Sequence, residues 1–543
     1  MTLDTRVRGM LAGLLAGAVG VCTGYLIAGL TGPVGSPVVA VSQLAIDLSP
    51  PPLKNFAIRT FGTHDKLVLE IGVIVVLGVF AAVIGMLEVR SRNAGLVGIV
   101  IFAVIGMIAA GTRPGAGAAD LAPTLIGAAA AAFTLATLGR AARPGPAGAS
   151  EGTAPARPAL AESEPDQPDA AEPPDGPAFA GRGLALTEPP RRQFMTLGAV
   201  AAGTAAVAYV GGRLLTERAS VASAVRSLRL PAPARPAPPL PGGADLRIPG
   251  LSSFITPNST FYRVDTAIVL PQIPPSSWQL RIHGMVSREL TLTFDDLIRR
   301  PLIEDYITLC CVSNWVGGPY IGNARWLGAS LGALLREAGI KAGADQLYCT
   351  SFDGFTSGTP VQTAMDGRDA LLAVAMNGKP LPVQHGFPVR TVVPGLYGYV
   401  SACKWITDIE VTTYAQNSAY WAQRGWSAQA PVKTESRIDV PAQGKQLTRG
   451  PVTIAGVAWA QHKGIDAVEV RVDKGPWRQA TLAAVPGIDT WRQWSLPWTA
   501  TSGTHRIEAR ATDKTGYTQT GLAQPPEPNG ATGYPAVTVS VVS

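Results

Sequence analysis

At 543 residues the chain is too long for one core, and three or four structural units are expected. Apolar residues make up 47% and charged residues 15%, which excludes an ordinary soluble composition and points to a membrane part joined to a globular one. The net charge of +7 does not indicate a nucleic-acid partner, because no stripe of Lys and Arg interleaves with aromatics. Five cysteines without a CxxC pair exclude a disulfide framework, a zinc ribbon and a thioredoxin-type motif.

In chain order, apolar runs come first, near 9–30, 67–88, 95–112 and 118–138, each close to the ~20 residues that cross a bilayer. Arg6 and Arg8, Arg90 and Arg92, and Arg140 and Arg143 flank them so that all fall on one side if every run spans, the side expected to be cytoplasmic. The 33–65 segment is then an outside loop, whose weakly apolar stretch Val38–Leu48 is left open. Residues 141–190 are rich in Pro, Ala, Glu and Asp and are expected to be a disordered cytoplasmic linker.

Arg191-Arg192-Gln193-Phe194-Met195 then precedes an apolar Ala/Gly-rich run to about Leu215. Two readings stand: an uncleaved twin-arginine-type export anchor, or a fifth membrane helix with its basic flank. Either way the chain beyond about 216 is expected outside the membrane, after a Pro/Ala linker. No histidine lies within a spanning run, so a bis-histidine haem in the bundle is not expected.

From about 246 short β-rich segments alternate with helical patterns such as Leu331–Ala338, the mark of an α+β domain. From about 430 only alternating strands remain, over a length that suits an immunoglobulin-like sandwich. Three segments between 250 and 430 can carry chemistry. Thr308–Asn314 ends an apolar strand in Cys310-Cys311 beside Gly317-Gly318; a sulfur there can meet a ligand, or pack as a small hydrophobe. His385-Gly386-Phe387-Pro388-Val389-Arg390 and Cys403-Lys404-Trp405 set cations among apolar residues, as a phosphate pocket or as a basic surface. Pro257-Asn258 leads to Phe261-Tyr262-Arg263, a turn able to place an arginine in a cleft.

Together these segments, with Met376-Asn377-Gly378-Lys379-Pro380-Leu381-Pro382 ahead of His385, resemble the sulfite oxidase family over about 246–543. The expected organisation is multi-domain: the apolar and proline-rich runs give an α-helical membrane domain (1–140), the linker (141–190), the anchor helix (191–216) and the Pro/Ala linker (217–245), and the resemblance implies an α+β molybdopterin domain (246–428) and an all-β immunoglobulin-like domain (429–543). It implies a molybdenum–molybdopterin cofactor and no haem. Its register selects Cys311 over Cys310 as metal ligand and catalytic residue, with Arg263 near the substrate. Cofactor contacts are implied for Phe261, Tyr262, Arg263, Asn314, Thr356, His385, Arg390, Cys403 and Lys404.

Two positions depart from the family. Thr356 stands where sulfite oxidases carry an aspartate, as in the bacterial reductase branch, and Ser418 stands where they carry a tyrosine. The implied activity is oxygen-atom transfer to a small sulfur oxyanion such as sulfite, with electrons passed to a separate cytochrome or quinone-linked acceptor. The alternatives are reduction of S- or N-oxides, and a non-catalytic envelope binding or scaffold protein. The sandwich mediates dimers in some relatives, so a homodimer is among the expectations.

Overall fold

The computed structural model describes Leu3 to Val542 except residues 33–34, most of 51–64, 92, 113–116, 144–189 and 219. The expected cytoplasmic linker therefore falls almost wholly outside the described residues. The chain divides into two compact units.

The first unit is helical. Helices Leu3–Thr31, Asp65–Arg90, Ala94–Gly111, Ala122–Ala142 and Pro190–Arg218 carry the apolar runs read from the sequence. Among the described residues, five helices are long and apolar enough to cross a membrane. Their outward residues, such as Val75, Val79 and Phe80, are large, apolar and exposed, the reverse of a water-soluble bundle. Small residues let backbones meet: a side chain on Gly13 would run into the Ala81 carbonyl, and one on Gly85 into that of Gly9. Glu88 is buried at a helix end, where it accepts from the Gly95 amide at 3.1 Å and pairs with Arg143 at 3.2 Å. The stretch left open in the sequence forms a helix, Pro37–Leu48, shorter than a span.

The second unit holds the chain from Thr216 onward. Its first half has two sheets, one mixed and one antiparallel. One orders β2 (Leu290–Thr293), β1 (Gln279–Gly284), β10 (Ile406–Thr412), β5 (Gln346–Ser351) and β6 (Thr356–Pro360), with β1 and β10 parallel. The other orders β3 (Leu302–Cys310), β4 (Ile321–Ser330), β7 (Leu371–Met376) and β8 (Lys379–Pro380), with β9 (Arg390–Val392) on β7. Every residue of β7 is buried, which is why Leu-Leu-Ala-Val-Ala-Met reads as a continuous apolar run.

The Pro/Ala linker expected over 217–245 is corrected in part. Val221 is buried with Phe261 and Trp326, and Leu228, Leu230 and Ala237 pack on the core. Ala234 donates to the Leu302 carbonyl at 2.9 Å, and Glu304 donates to that of Arg235 at 2.9 Å. The apolar residues spaced between the prolines supply the burial. An extended proline-rich segment keeps its remaining backbone groups free for a strand edge.

The second half is a sandwich. One sheet orders β11 (Glu435–Val440), β13 (Gly450–Trp459), β17 (Arg492–Ala500) and β16 (Thr481–Leu482). The other orders β12 (Gln446–Thr448), β19 (Ala536–Val542), β18 (Gly503–Asp513), β14 (Ile465–Val472) and β15 (Arg478–Gln479). Inward residues such as Ile454, Val468, Trp494 and Ala509 fill the space between them.

Gly456 pairs with Ile438, and a side chain there would collide with the Arg437 carbonyl and come within 2.7 Å of the Trp494 ring. Gly456→Ala is expected to lower stability by about 3 kcal/mol in denaturant melts. Glu435, at the start of the neighbouring strand β11, is buried, and burial pushes its carboxyl up from 4.5 to about 8 against the pull of Lys433. The folded chain keeps a proton that the unfolded chain loses, so stability falls as pH rises through that window. Glu435→Gln should flatten the slope and be more stable than wild type at pH 8 by about 2 kcal/mol.

Candidate active site

Cys311 is the first residue beyond β3, so the strand delivers it to the lip of the sheet. Its amide donates to the Tyr320 carbonyl at 2.9 Å and its carbonyl accepts from the Asn314 amide at 3.1 Å. Asn314 is buried, and its Oδ1 accepts from the Tyr320 amide at 2.8 Å, closing the loop that returns to β4. A side chain on Gly318 would come within 2.6 Å of that Oδ1, so the loop closes only with glycine there. Asn314 Nδ2 is buried without a hydrogen-bond partner, a donor held ready for something else. The Cys311 sulfur lies 2.9 Å from the Ser313 hydroxyl. Burial pushes the thiol up, while Ser313 and Lys404 pull it down.

The sandwich braces this strand from behind. Thr308 Oγ1 accepts from the Trp491 amide at 2.7 Å, and the Thr308 carbonyl accepts from Gln461 Nε2 at 3.0 Å. Arg437 of β11 reaches the Gly318 carbonyl at 3.2 Å.

The basic residues converge on the same region. Gly386 has φ +106°, and its missing side chain lets the His385 turn settle between Arg390 and Lys404, whose Cβ atoms would be 3.0 and 3.1 Å from an added Cβ. Arg390 is buried; its guanidinium lies 5.1 Å from the Trp326 ring centre and donates to the His385 carbonyl at 3.1 Å. Burial pushes it down to about 10. Burial, with Arg390 nearby, pushes His385 down to about 4, so the ring is neutral at physiological pH. Its Nε2 then donates to the Asn258 carbonyl at 3.0 Å. Lys404 is pushed down to about 8 by burial, against Asp265, which its Nζ meets at 2.7 Å.

Phe261 stacks on Tyr262 at 5.2 Å and meets Trp326 and His385 edge-on at 5.9 and 5.6 Å. Arg263 reaches the same cluster, but it is 38% exposed and forked onto Asp265 at 2.9 Å rather than standing free in a cleft. Asp265 thus ties Arg263 to Lys404, a role that sequence reading missed; its one local signal is a spacing of two residues from Arg263. Two expected residues are not brought in by their side chains. The Cys403 thiol is in the core, where burial pushes it well up and its sulfur faces the Lys404 carbonyl at 3.8 Å. Thr356 Oγ1 accepts from the Tyr420 amide at 2.9 Å.

This donor set can be tested against the implied cofactor. Among the described residues, no three His, Cys, Asp or Glu side chains are grouped to hold a metal ion. A metal at Cys311 would therefore arrive with most of its own ligands. One sulfur at the lip of a sheet, an orphaned amide, and buried cations suited to an anionic tail fit such a group.

Comparison with known proteins agrees. Residues 267–421 match the oxidoreductase molybdopterin binding domain, and residues 435–509 match a bacterial Ig domain. The chain is 31% identical over 292 residues to the mitochondrial sulfite oxidase of Mus musculus, covering 45% of this chain and 53% of that one. It is 30% identical over 310 residues to the sulfite oxidase of Gallus gallus, covering 48% and 67%. An uncharacterized oxidoreductase of Bacillus subtilis is 31% identical over 151 residues, covering 28% and 73%. The chain spans about half the length of the mammalian relatives it matches. A molybdopterin-binding oxidoreductase domain and an all-β C-terminal domain are what these matches share with the fold, the matched domain implies a molybdenum cofactor, and the chain belongs to the sulfite oxidase family of molybdopterin-dependent oxidoreductases.

Proposed function

We propose that Cys311 binds the molybdenum and that the chain transfers an oxygen atom to a small sulfur oxyanion such as sulfite. The observation that carries this reading is the convergence of Cys311, His385, Arg390 and Lys404 from separate loops around Phe261 and Tyr262. When bound, the cofactor exchanges one oxygen atom and two electrons with the substrate. Arg390 and Lys404 hold its anionic tail, neutral His385 orients the turn between them, and the Cys311 thiol gives up its proton on ligation. Electrons leave to a separate cytochrome or quinone-linked carrier.

A second reading, reduction of an S- or N-oxide, gains from one observation: Asp265 neutralises Arg263, the arginine expected near the substrate. Metal analysis of the purified protein, then sulfite oxidation against sulfoxide reduction with artificial redox dyes, separates the readings. Protein without molybdenum would favour a scaffold.

We also propose that the five apolar helices span the membrane with their arginine clusters inside. The helix bearing Arg191-Arg192 then serves as an uncleaved export anchor, and the catalytic unit lies on the outer side.

A further inference from the structure

The turn that follows Cys311 holds a hydroxyl that oxygen-atom transfer has not yet called on. The Asn314 amide donates to the Cys311 carbonyl at 3.1 Å, which makes residues 311–314 a β-turn with Val312 and Ser313 at its corner. Val312 is buried in the core, and the Cys311 amide is tied to the Tyr320 carbonyl at 2.9 Å. Asn314 is fixed from the other side, where its Oδ1 accepts from the Tyr320 amide at 2.8 Å. Ser313 is therefore placed by its neighbours and not by its own side chain, which folds back over residue 311.

The Ser313 hydroxyl lies 2.9 Å from the Cys311 sulfur. Among the described residues that hydroxyl bonds to nothing else, and no other side chain is bonded to the sulfur. The thiol next in sequence is turned elsewhere, since Cys310 donates to the Cys311 carbonyl at 3.5 Å. In the free thiol either atom can be the donor. A sulfur that binds a metal has lost its proton, so the hydroxyl then has one role left, to donate.

We propose that Ser313 is a positioning residue whose hydrogen bond to the Cys311 sulfur makes the molybdenum held there easier to reduce. The inference rests on Cys311 as the metal ligand. A donor on a thiolate draws electron density away from sulfur and weakens what the sulfur gives to the metal. Hydrogen bonds to sulfur set potentials in copper and iron–sulfur sites by the same lever. A hydrogen bond to a charged acceptor is worth about a factor of 10 in an equilibrium constant.

The test uses the full-length, molybdenum-loaded protein in detergent. It reads the sulfur-to-metal charge-transfer band and the equilibrium of the metal with a redox dye of known potential. Ser313→Ala should keep its molybdenum, move the band to longer wavelength and shift the dye equilibrium about 10-fold toward oxidised metal. Ser313→Thr keeps the hydroxyl and should stay close to wild type on both readouts. Ser313→Val matches threonine in bulk without the hydroxyl and should follow alanine, so this pair carries the comparison even if the alanine variant loads poorly. A band and a dye equilibrium unchanged in the alanine variant, or the same in the threonine and valine variants, overturn the inference. Cys311→Ser run in parallel separates the two levels. If the band persists without the cysteine, the ligand assignment itself falls; if it vanishes there while Ser313→Ala behaves as wild type, only the serine is wrong.

Discussion

Cys311→Ser should reduce turnover by about 10³-fold or more while leaving the protein folded. On the proposed ligation, serine puts a hard, weakly acidic hydroxyl where a soft thiolate would bind the metal, and the loss of that sulfur would remove a contact the reaction needs. A thousandfold loss corresponds to about 4 kcal/mol of barrier. Stability should barely change. The new hydroxyl sits beside Ser313 Oγ, 2.9 Å from the present sulfur, and the loop is closed by Asn314 and backbone bonds that do not involve the side chain. A melting temperature within a few degrees of wild type, with redox-dye turnover gone, is the expected pair of results. Wild-type turnover in a protein free of contaminating enzyme would remove the ligand assignment.

Arg390→Ala should act on cofactor retention and stability together. The guanidinium is buried over Trp326 and bonds to the His385 and Ala402 carbonyls at 3.1 and 3.4 Å. Alanine leaves those carbonyls without their donor and opens a hole, at about 2–4 kcal/mol. It also removes the most deeply buried positive charge near the pterin tail's proposed position, so molybdenum content should fall about 10-fold or more. Arg390→Lys is the sharper comparison. It keeps a charge but loses the planar fork, and should recover part of the metal and less of the stability. Full molybdenum occupancy in the alanine variant, measured by elemental analysis, would show that the tail is held elsewhere.

Much of this was legible in the chain. The apolar helices and the alternating C-terminal strands were visible because long apolar runs and sheet pairing each leave their own pattern in sequence. His385, Arg390 and Lys404 stood out because cations embedded among Phe, Val and Trp are costly unless they have work to do. What stayed hidden depends on partners far apart in sequence. Asp265 meets Lys404 across 139 positions, and Thr308 is bonded from Gln461 and Trp491, more than 150 residues on. The 217–245 segment looked like a spacer because prolines dominate it, and composition does not reveal that Val221 and Leu228 find a core. The pairing of Arg263 was hidden as well, since the aspartate that engages it is itself drawn in by Lys404.

The bonds from Gln461, Trp491 and Arg437 carry a consequence for anyone cutting this protein into pieces. A fragment ending near residue 430 would strip the cysteine strand of its rear support, leave the Thr308 carbonyl without Gln461 and take from the Phe254 carbonyl one of its two donors, Trp491, leaving only Asn323. Grafts, truncations and expression fragments should treat 221–543 as a single cassette. The boundary that separates two recognisable folds here is no place to put a stop codon.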